Sequence, residues 1–171
     1  METKQLTPGK FAVNYGLILG IIMIVITAIT YFSGIMEKGE QWPNFILYII
    51  FPVIIIYAIN RYKKHNGGLL TLIEAIKVGV AVAVISALIS TVFNALLFYV
   101  IDPELTDKIM DITREKLYEN PKMTEEMIDK TMETIKKFSN PLLGGAIGIG
   151  LSALFGLIYS VIGGLVMKKE A

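Results

Sequence analysis

The sequence contains no cysteine, one tryptophan and one histidine, and each shortage removes a class of chemistry. Without thiols there is no disulfide framework, no thiolate nucleophile and no zinc–thiolate site. The lone histidine, His65, lies in a basic cluster with Arg61, Lys63 and Lys64. No H-E-x-x-H run or carboxylate–histidine cluster accompanies it, so nothing points to a metal ligand set or to a nucleophile–base pair. The net charge is only +1 and no basic stripe marks a soluble face, which sets nucleic acid aside as a partner. Gly148-Ile-Gly150-Leu-Ser-Ala153 matches the dinucleotide fingerprint in letters alone. That motif needs a preceding strand and a water-accessible helix start, and here it lies inside an apolar run. Catalytic, metal and cofactor-binding residues are therefore all expected to be absent.

Charge of either sign is also missing from four long stretches: Phe11 to Met36, Gln41 to Asn60, Val78 to Ile101 and Pro141 to Met167. Each is near or above the ~20 residues that a bilayer-spanning helix requires. The chain is 54% hydrophobic with a mean hydropathy of +0.60, outside soluble norms. These runs predict an all-α membrane protein with four transmembrane helices over about 11–36, 43–60, 72–101 and 141–167. Residues 102–140 form an amphipathic helical pair between helices three and four, and residues 1–171 make one membrane domain. The first run is too long for the apolar core of a signal peptide and no small-residue cleavage site follows it, so it reads as an uncleaved span.

Basic residues set the orientation. Lys4 and Lys10, the Arg61–His65 cluster, and Lys168 and Lys169 all fall on one side of a four-span chain. The positive-inside rule makes that side cytoplasmic, with both termini inside, and puts the Glu37–Trp42 turn and residues 102–140 outside.

Helix starts are written as a cap residue before proline, at Thr7-Pro8, Asp102-Pro103, Asn120-Pro121 and Asn140-Pro141. Thr71 and Glu74 fit a capping box that opens helix three near Leu72, after the Asn66-Gly67-Gly68 turn. Helix two is rich in Ile and aromatics and short of small residues, which suits a lipid-facing position, and Pro52 should kink it by obstructing the carbonyl of Tyr48.

The last span carries a small residue every fourth position: Gly144, Gly148, Ser152, Gly156, Ser160 and Gly164. Small-xxx-small spacing lets helices approach closely where lipid supplies no hydrophobic drive. Gly79, Ala83, Ala87, Thr91 and Ala95 give helix three a similar face, and Ala12, Gly16 and Gly20 give one to helix one. Helix three is thus the expected partner of helix four, with helix one next. A four-residue step drifts about 40° each time, so the six positions wrap too far for one neighbour. Gly144–Ser152 and Gly156–Gly164 should meet different helices, and bulk at Gly148 or Gly156 should damage folding.

Residues 102–140 hold ten acidic and seven basic residues. Placed at about 100° per residue, Met123, Met127, Ile128, Met132, Ile135 and Phe138 share one half of the wheel, and every charge from Glu125 to Lys137 shares the other. This Met-rich face is a candidate partner-binding surface, weighed against a role covering its own bundle or resting at the interface.

Glu74 and Lys77 are the ionisable residues that interrupt the start of a span, where charges are functional candidates by default. Both also sit close to the cytoplasmic end, where Glu74 can cap the helix and Lys77 can snorkel, and this structural reading is preferred. Asn14 and Asn94 are expected to make interhelical hydrogen bonds.

The Asn66-Gly67-Gly68 turn running into Glu74-Ala75 and Gly79, the Asp102-Pro103 exit from helix three and the Gly-rich last span resemble the bacterial inner-membrane family catalogued as domain of unknown function 4199. The resemblance implies fold and location, with no catalytic residue to carry over. A segregated Met-rich face without convergent polar residues predicts a non-enzymatic accessory, scaffold or assembly component. Its partners would be the lipid bilayer and a membrane protein or a second copy. The alternative is a small oligomeric transporter or channel with a polar site near Glu74 and Lys77.

Overall fold

A computed structural model describes residues 7–40 and 42–170. Lys4, counted above toward the orientation, and Gln41, at the start of the second apolar run, lie outside them. The described residues form six helices: α1 (Pro8–Phe32), α2 (Trp42–His65), α3 (Leu72–Leu96), α4 (Leu105–Tyr118), α5 (Glu125–Phe138) and α6 (Pro141–Met167). A π-helical turn, Leu97–Ile101, widens the end of α3. Four helical segments, with α3 and its π turn counted as Leu72–Ile101, are long and apolar enough to cross a membrane. The fold is an all-α, four-span bundle with a helical pair inserted before the last span.

The ends of these helices follow their caps. Thr7 is extended before Pro8, although its hydroxyl makes no capping bond. At α3 the capping box is complete: Thr71 Oγ1 accepts from the Glu74 amide at 3.2 Å, and the Thr71 amide donates to Glu74 Oε2 at 2.9 Å. Asn140 Oδ1 accepts from the amides of Leu142 and Leu143 at the start of α6. The other two cap–proline pairs do not open helices. α4 begins at Leu105, two residues after Pro103, and α5 begins at Glu125 with Thr124 as its cap. Asn120 Oδ1 accepts instead from the Lys122 amide, closing a turn. Asx followed by proline serves turns as readily as helix starts, so the pair alone does not decide between them.

α1 ends at Phe32, four residues before its apolar run does, and the chain turns through Gly34 and Gly39, both at positive φ (+69° and +59°). α2 runs past Asn60 to His65, where Lys63, Lys64 and His65 complement the negative end of the helix dipole.

α3 is the centre of the bundle, packing along α6 and α1, while α2 lies more lightly across all three. The α3–α6 seam depends on glycine. A Cβ at Gly156 would lie 2.6 Å from that of Ala83, and one at Gly164 would lie 2.9 Å from that of Ala75. Gly79 sits under Ser160, whose hydroxyl donates to the Gly156 carbonyl within its own helix. On the other side of α3, a Cβ at Gly16 would meet that of Ile85 at 2.7 Å.

One end of the bundle is basic and tied together. Leu70 and Lys169 exchange backbone hydrogen bonds at 2.8 and 2.9 Å, and Lys63 Nζ donates to the Met167 carbonyl at the end of α6. Phe11 packs its ring on Tyr62 and His65, bringing the start of α1 to the same end. Burial is concentrated toward this end: Ala12 to Gly20 in α1, Ile55 to Tyr62 in α2, and Gly156 to Gly164 in α6. Along the first half of α2 only Pro43 is fully buried, with Leu47, Ile50 and Phe51 partly covered, and the other buried residues of the helix follow Pro52. α2 is thus largely exposed along its first half, whereas Ile55, Ala58, Ile59 and Tyr62 beyond Pro52 join the core. The bundle is close-packed at the basic end and opens toward the end that carries α4 and α5.

Candidate functional site

The opening between α3 and α6 forms a cavity of about 300 Å³. The α3 wall presents Ala87, Ser90, Thr91, Asn94 and Phe98, the α6 wall Gly144, Gly145, Gly148 and Ser152, with Met23 from α1. Phe138 to Pro141, joining α5 to α6, closes the top. No ionisable side chain lines it.

Its geometry follows from which small residues pack and which do not. Gly145 lies against Thr91, so closely that a Cβ there would collide with the threonine methyl. A Cβ at Gly144 would reach only the Phe138 carbonyl oxygen, at 3.6 Å, and one at Gly148 would have nothing within 4 Å. Gly156, Ser160 and Gly164 are buried at the closed end, whereas Gly144 and Gly148 border the cavity and Ser152 lies between. The two halves of the stripe therefore do not meet different helices as expected: Gly156 and Gly164 pack on α3, and the drift of the four-residue repeat carries Gly144 and Gly148 to the cavity. Gly163, one position off the repeat, faces Ile56 and Ile59 of α2 instead.

Asn94 does not bridge helices. Its Nδ2 donates to the Ser90 carbonyl at 2.8 Å and to Ser90 Oγ at 3.3 Å, within α3. Asn14 is exposed on α1 and makes no side-chain hydrogen bond to another helix. A second recess, lined by Ile24, Leu88, Val92 and Leu96 among others, is apolar throughout and belongs to the lipid-facing surface of α1 and α3.

Glu74 and Lys77 are not brought into a shared site. The Glu74 carboxylate takes part in the capping box, accepts from Thr71 Oγ1 at 2.9 Å, and accepts from the Tyr62 hydroxyl at 3.3 Å, joining α3 to α2. Lys77 is exposed, and no hydrogen bond or ion pair joins it to Glu74 among the described residues. No group of three His, Asp or Glu side chains able to hold a metal ion occurs among them either.

The amphipathic face of α5 divides. Ile128 and Met132 are buried, Met123 and Ile135 are half-buried, and Met127 and Phe138 are 47% and 55% exposed. α5 packs on α4, assisted by an Arg114–Asp129 ion pair. Its wet face carries the Glu126–Lys130 and Glu133–Lys137 pairs at 2.7 and 2.8 Å. α4 is fastened to the α1–α2 turn: Lys116 Nζ donates to the carbonyls of Lys38 and Gly39, and Lys108 Nζ lies 3.1 Å from Asp102 and 3.7 Å from Glu37. The hydrogen bond to Asp102, with the charges of Asp102, Glu37 and Glu104, holds the Lys108 ammonium above the ordinary lysine range. The Arg114 guanidinium is likewise raised, first by its hydrogen bond to Tyr118 and then by Asp129.

Four spanning-length apolar helices, with the α4–α5 pair between the third and fourth, define a multi-pass helical membrane protein. The chain belongs to the family described as Protein of unknown function (DUF4199), whose sequence profile matches residues 14–169. No curated protein and no solved structure matches it.

Proposed function

We propose that the protein is a non-enzymatic component of a bacterial inner-membrane assembly. Its basic end lies in the cytoplasm, following the positive-inside rule, and it engages another membrane protein through the outer end of the bundle. The supporting observation is the division of the α5 face: packing on α4 covers Ile128 and Met132 and leaves Met127 and Phe138 exposed. Methionine and phenylalanine are adaptable or large apolar groups that suit contact with a partner helix. The small residues of α3 and α6 serve the bundle itself. Photocrosslinkers at Met127 and Phe138 in native membranes should capture a distinct second protein. Adducts confined to lipid and to the protein's own chain would overturn the reading.

A second reading, a small oligomeric transporter or channel, gains from the polar cavity, which the Gly156–Ala83 approach closes toward the basic end. Its site would be Ser90, Thr91 and Asn94 rather than Glu74 and Lys77. Solute flux in liposomes that is lost in Asn94→Leu but kept in Glu74→Gln would favour it.

A further inference from the structure

The serine and threonine hydroxyls of the four spans fall into two groups. Thr30, Ser86 and Ser160 donate to a carbonyl of their own helix, the usual way a hydroxyl is satisfied inside a bilayer. Ser90, Thr91 and Ser152 donate to no protein group among the described residues, and all three line the α3–α6 cavity; Thr27, on α1, is the only other such hydroxyl in the spans. Ser90 is only 8% exposed, and its oxygen already accepts from Asn94, so its proton is the part left to donate. Asn94 directs its amide protons into its own helix, and among the described residues nothing donates to its carbonyl oxygen.

The cavity therefore offers three hydroxyl donors and one amide acceptor, with no charge to match a phosphate, carboxylate or ammonium. Asn94 lies about 10 Å along the axis from Ile101, at 1.5 Å rise per residue, below the aromatics Phe98 and Tyr99. With Ile101 taken as the water-side end of the 30-residue span, that corresponds to the depth of a lipid's glycerol and upper acyl chain rather than of its charged head. The α6 wall is glycine, with Gly144 exposed and Gly148 half-exposed, so no side chain there bars approach from the membrane. At about 300 Å³ the space suits a small polar head and the first part of a chain, with the remaining chain left in lipid.

We propose that the α3–α6 cavity binds an uncharged glycerol-headed lipid, a mono- or diacylglycerol, entering sideways from the leaflet at the α4–α5 end. A glycerol hydroxyl would donate to Asn94 Oδ1, and the hydroxyl and ester carbonyl oxygens would accept from Ser90, Thr91 and Ser152. This site meets the α5 surface at Phe138, which borders the cavity, and its polar groups do not depend on a protein partner.

The test uses the full chain in nanodiscs of phosphatidylethanolamine and phosphatidylglycerol, photolabelled with a diazirine-bearing monoacylglycerol, with adducts mapped by mass spectrometry. Adducts should concentrate on 87–98 and 141–152 and be displaced by unlabelled monoolein, but not by oleate or lysophosphatidylglycerol. A Cβ at Gly148 would have no neighbour within 4 Å and Gly148 lines the cavity, so Gly148→Leu should occupy the cavity and reduce labelling by about tenfold with little change in unfolding temperature. Should that variant fold poorly, the double variant Ser90→Ala, Asn94→Leu provides the same readout. Adducts spread evenly over the lipid-facing helices would overturn the proposal. So would wild-type labelling in a folded cavity variant, or equal displacement by the charged lipids.

Discussion

A methyl group added to Gly156 would need space that Ala83 already occupies, at 2.6 Å from its Cβ and 3.3 Å from the Gly79 carbonyl oxygen. Neither neighbour can yield by changing rotamer, since one has no side-chain freedom and the other is backbone. Gly156→Ala should therefore destabilise the bundle by about 1–3 kcal/mol, the range for overpacking a close-fitted interior. Thermal unfolding of the purified protein in detergent measures it, and a midpoint equal to wild type would refute a close α3–α6 approach. The spacing of small residues in α6 singles out Gly156 and Gly148 alike, yet a Cβ at Gly148 would have nothing within 4 Å, against the expectation that bulk there damages folding. The difference was not legible in the sequence, because a repeat of identical letters does not say how the helix is rotated against its neighbours. Glu74 shows the opposite case. The Thr-x-x-Glu pattern specifies a bonding geometry as well as a residue type, and the structure forms those bonds.

At the scale of elements, long-range order lies in how the ends of helices are held. α4 is bound to the α1–α2 turn by Lys116, which donates to two of its carbonyls, and by the Lys108–Glu37 ion pair, while Lys108 also bonds Asp102, so the helical pair is anchored through cationic donors. The folded state raises the Lys108 pKa, and a group raised on folding contributes its stability in full below the unfolded value, about 10.4. That contribution is lost as pH rises through the folded value. Hydrogen exchange in α4, corrected for the intrinsic rate, should be unchanged from pH 7 to 9 and should accelerate above about pH 10.5, with α1 and α3 unaffected. In Lys108→Met the acceleration attributed to this group should already be present at neutral pH. None of this tethering could be read from the sequence. The charges of residues 102–140 mark a solvated segment, but Glu37, Lys38 and Gly39, which Lys108 and Lys116 reach, sit on a turn far away in the chain. The two misplaced helix starts, at Asp102-Pro103 and Asn120-Pro121, have a local cause of the same kind. Asp102 accepts from Tyr31 and Lys108, and Asn120 closes a turn, so neither side chain is available as a cap.

For the whole molecule, the four spans and the pairing of α3 with α6 and α1 follow from charge-free length and small-residue faces. The outward splay does not, because it depends on where α2 leaves the bundle. α2 contributes Ile55, Ala58, Ile59 and Tyr62 to the core only after Pro52. The same asymmetry bears on orientation. The close-packed end gathers Lys10, Arg61, Lys63, Lys64, Lys168 and Lys169, while the open end carries the acidic α4–α5 segment. Moving that cluster of cations across the bilayer would be opposed by both desolvation and the membrane potential, roughly 2.3 kcal/mol per charge per 100 mV. The chain lacks cysteine, so one introduced thiol reports a single position without background. Lys64→Cys should react with a membrane-impermeant maleimide only after the cells are opened, and Lys122→Cys should react once the outer envelope alone is permeabilised, both positions being exposed. The reverse pattern would place the basic end outside. The cavity would then open toward the cytoplasmic leaflet, and any lipid it takes would come from that side.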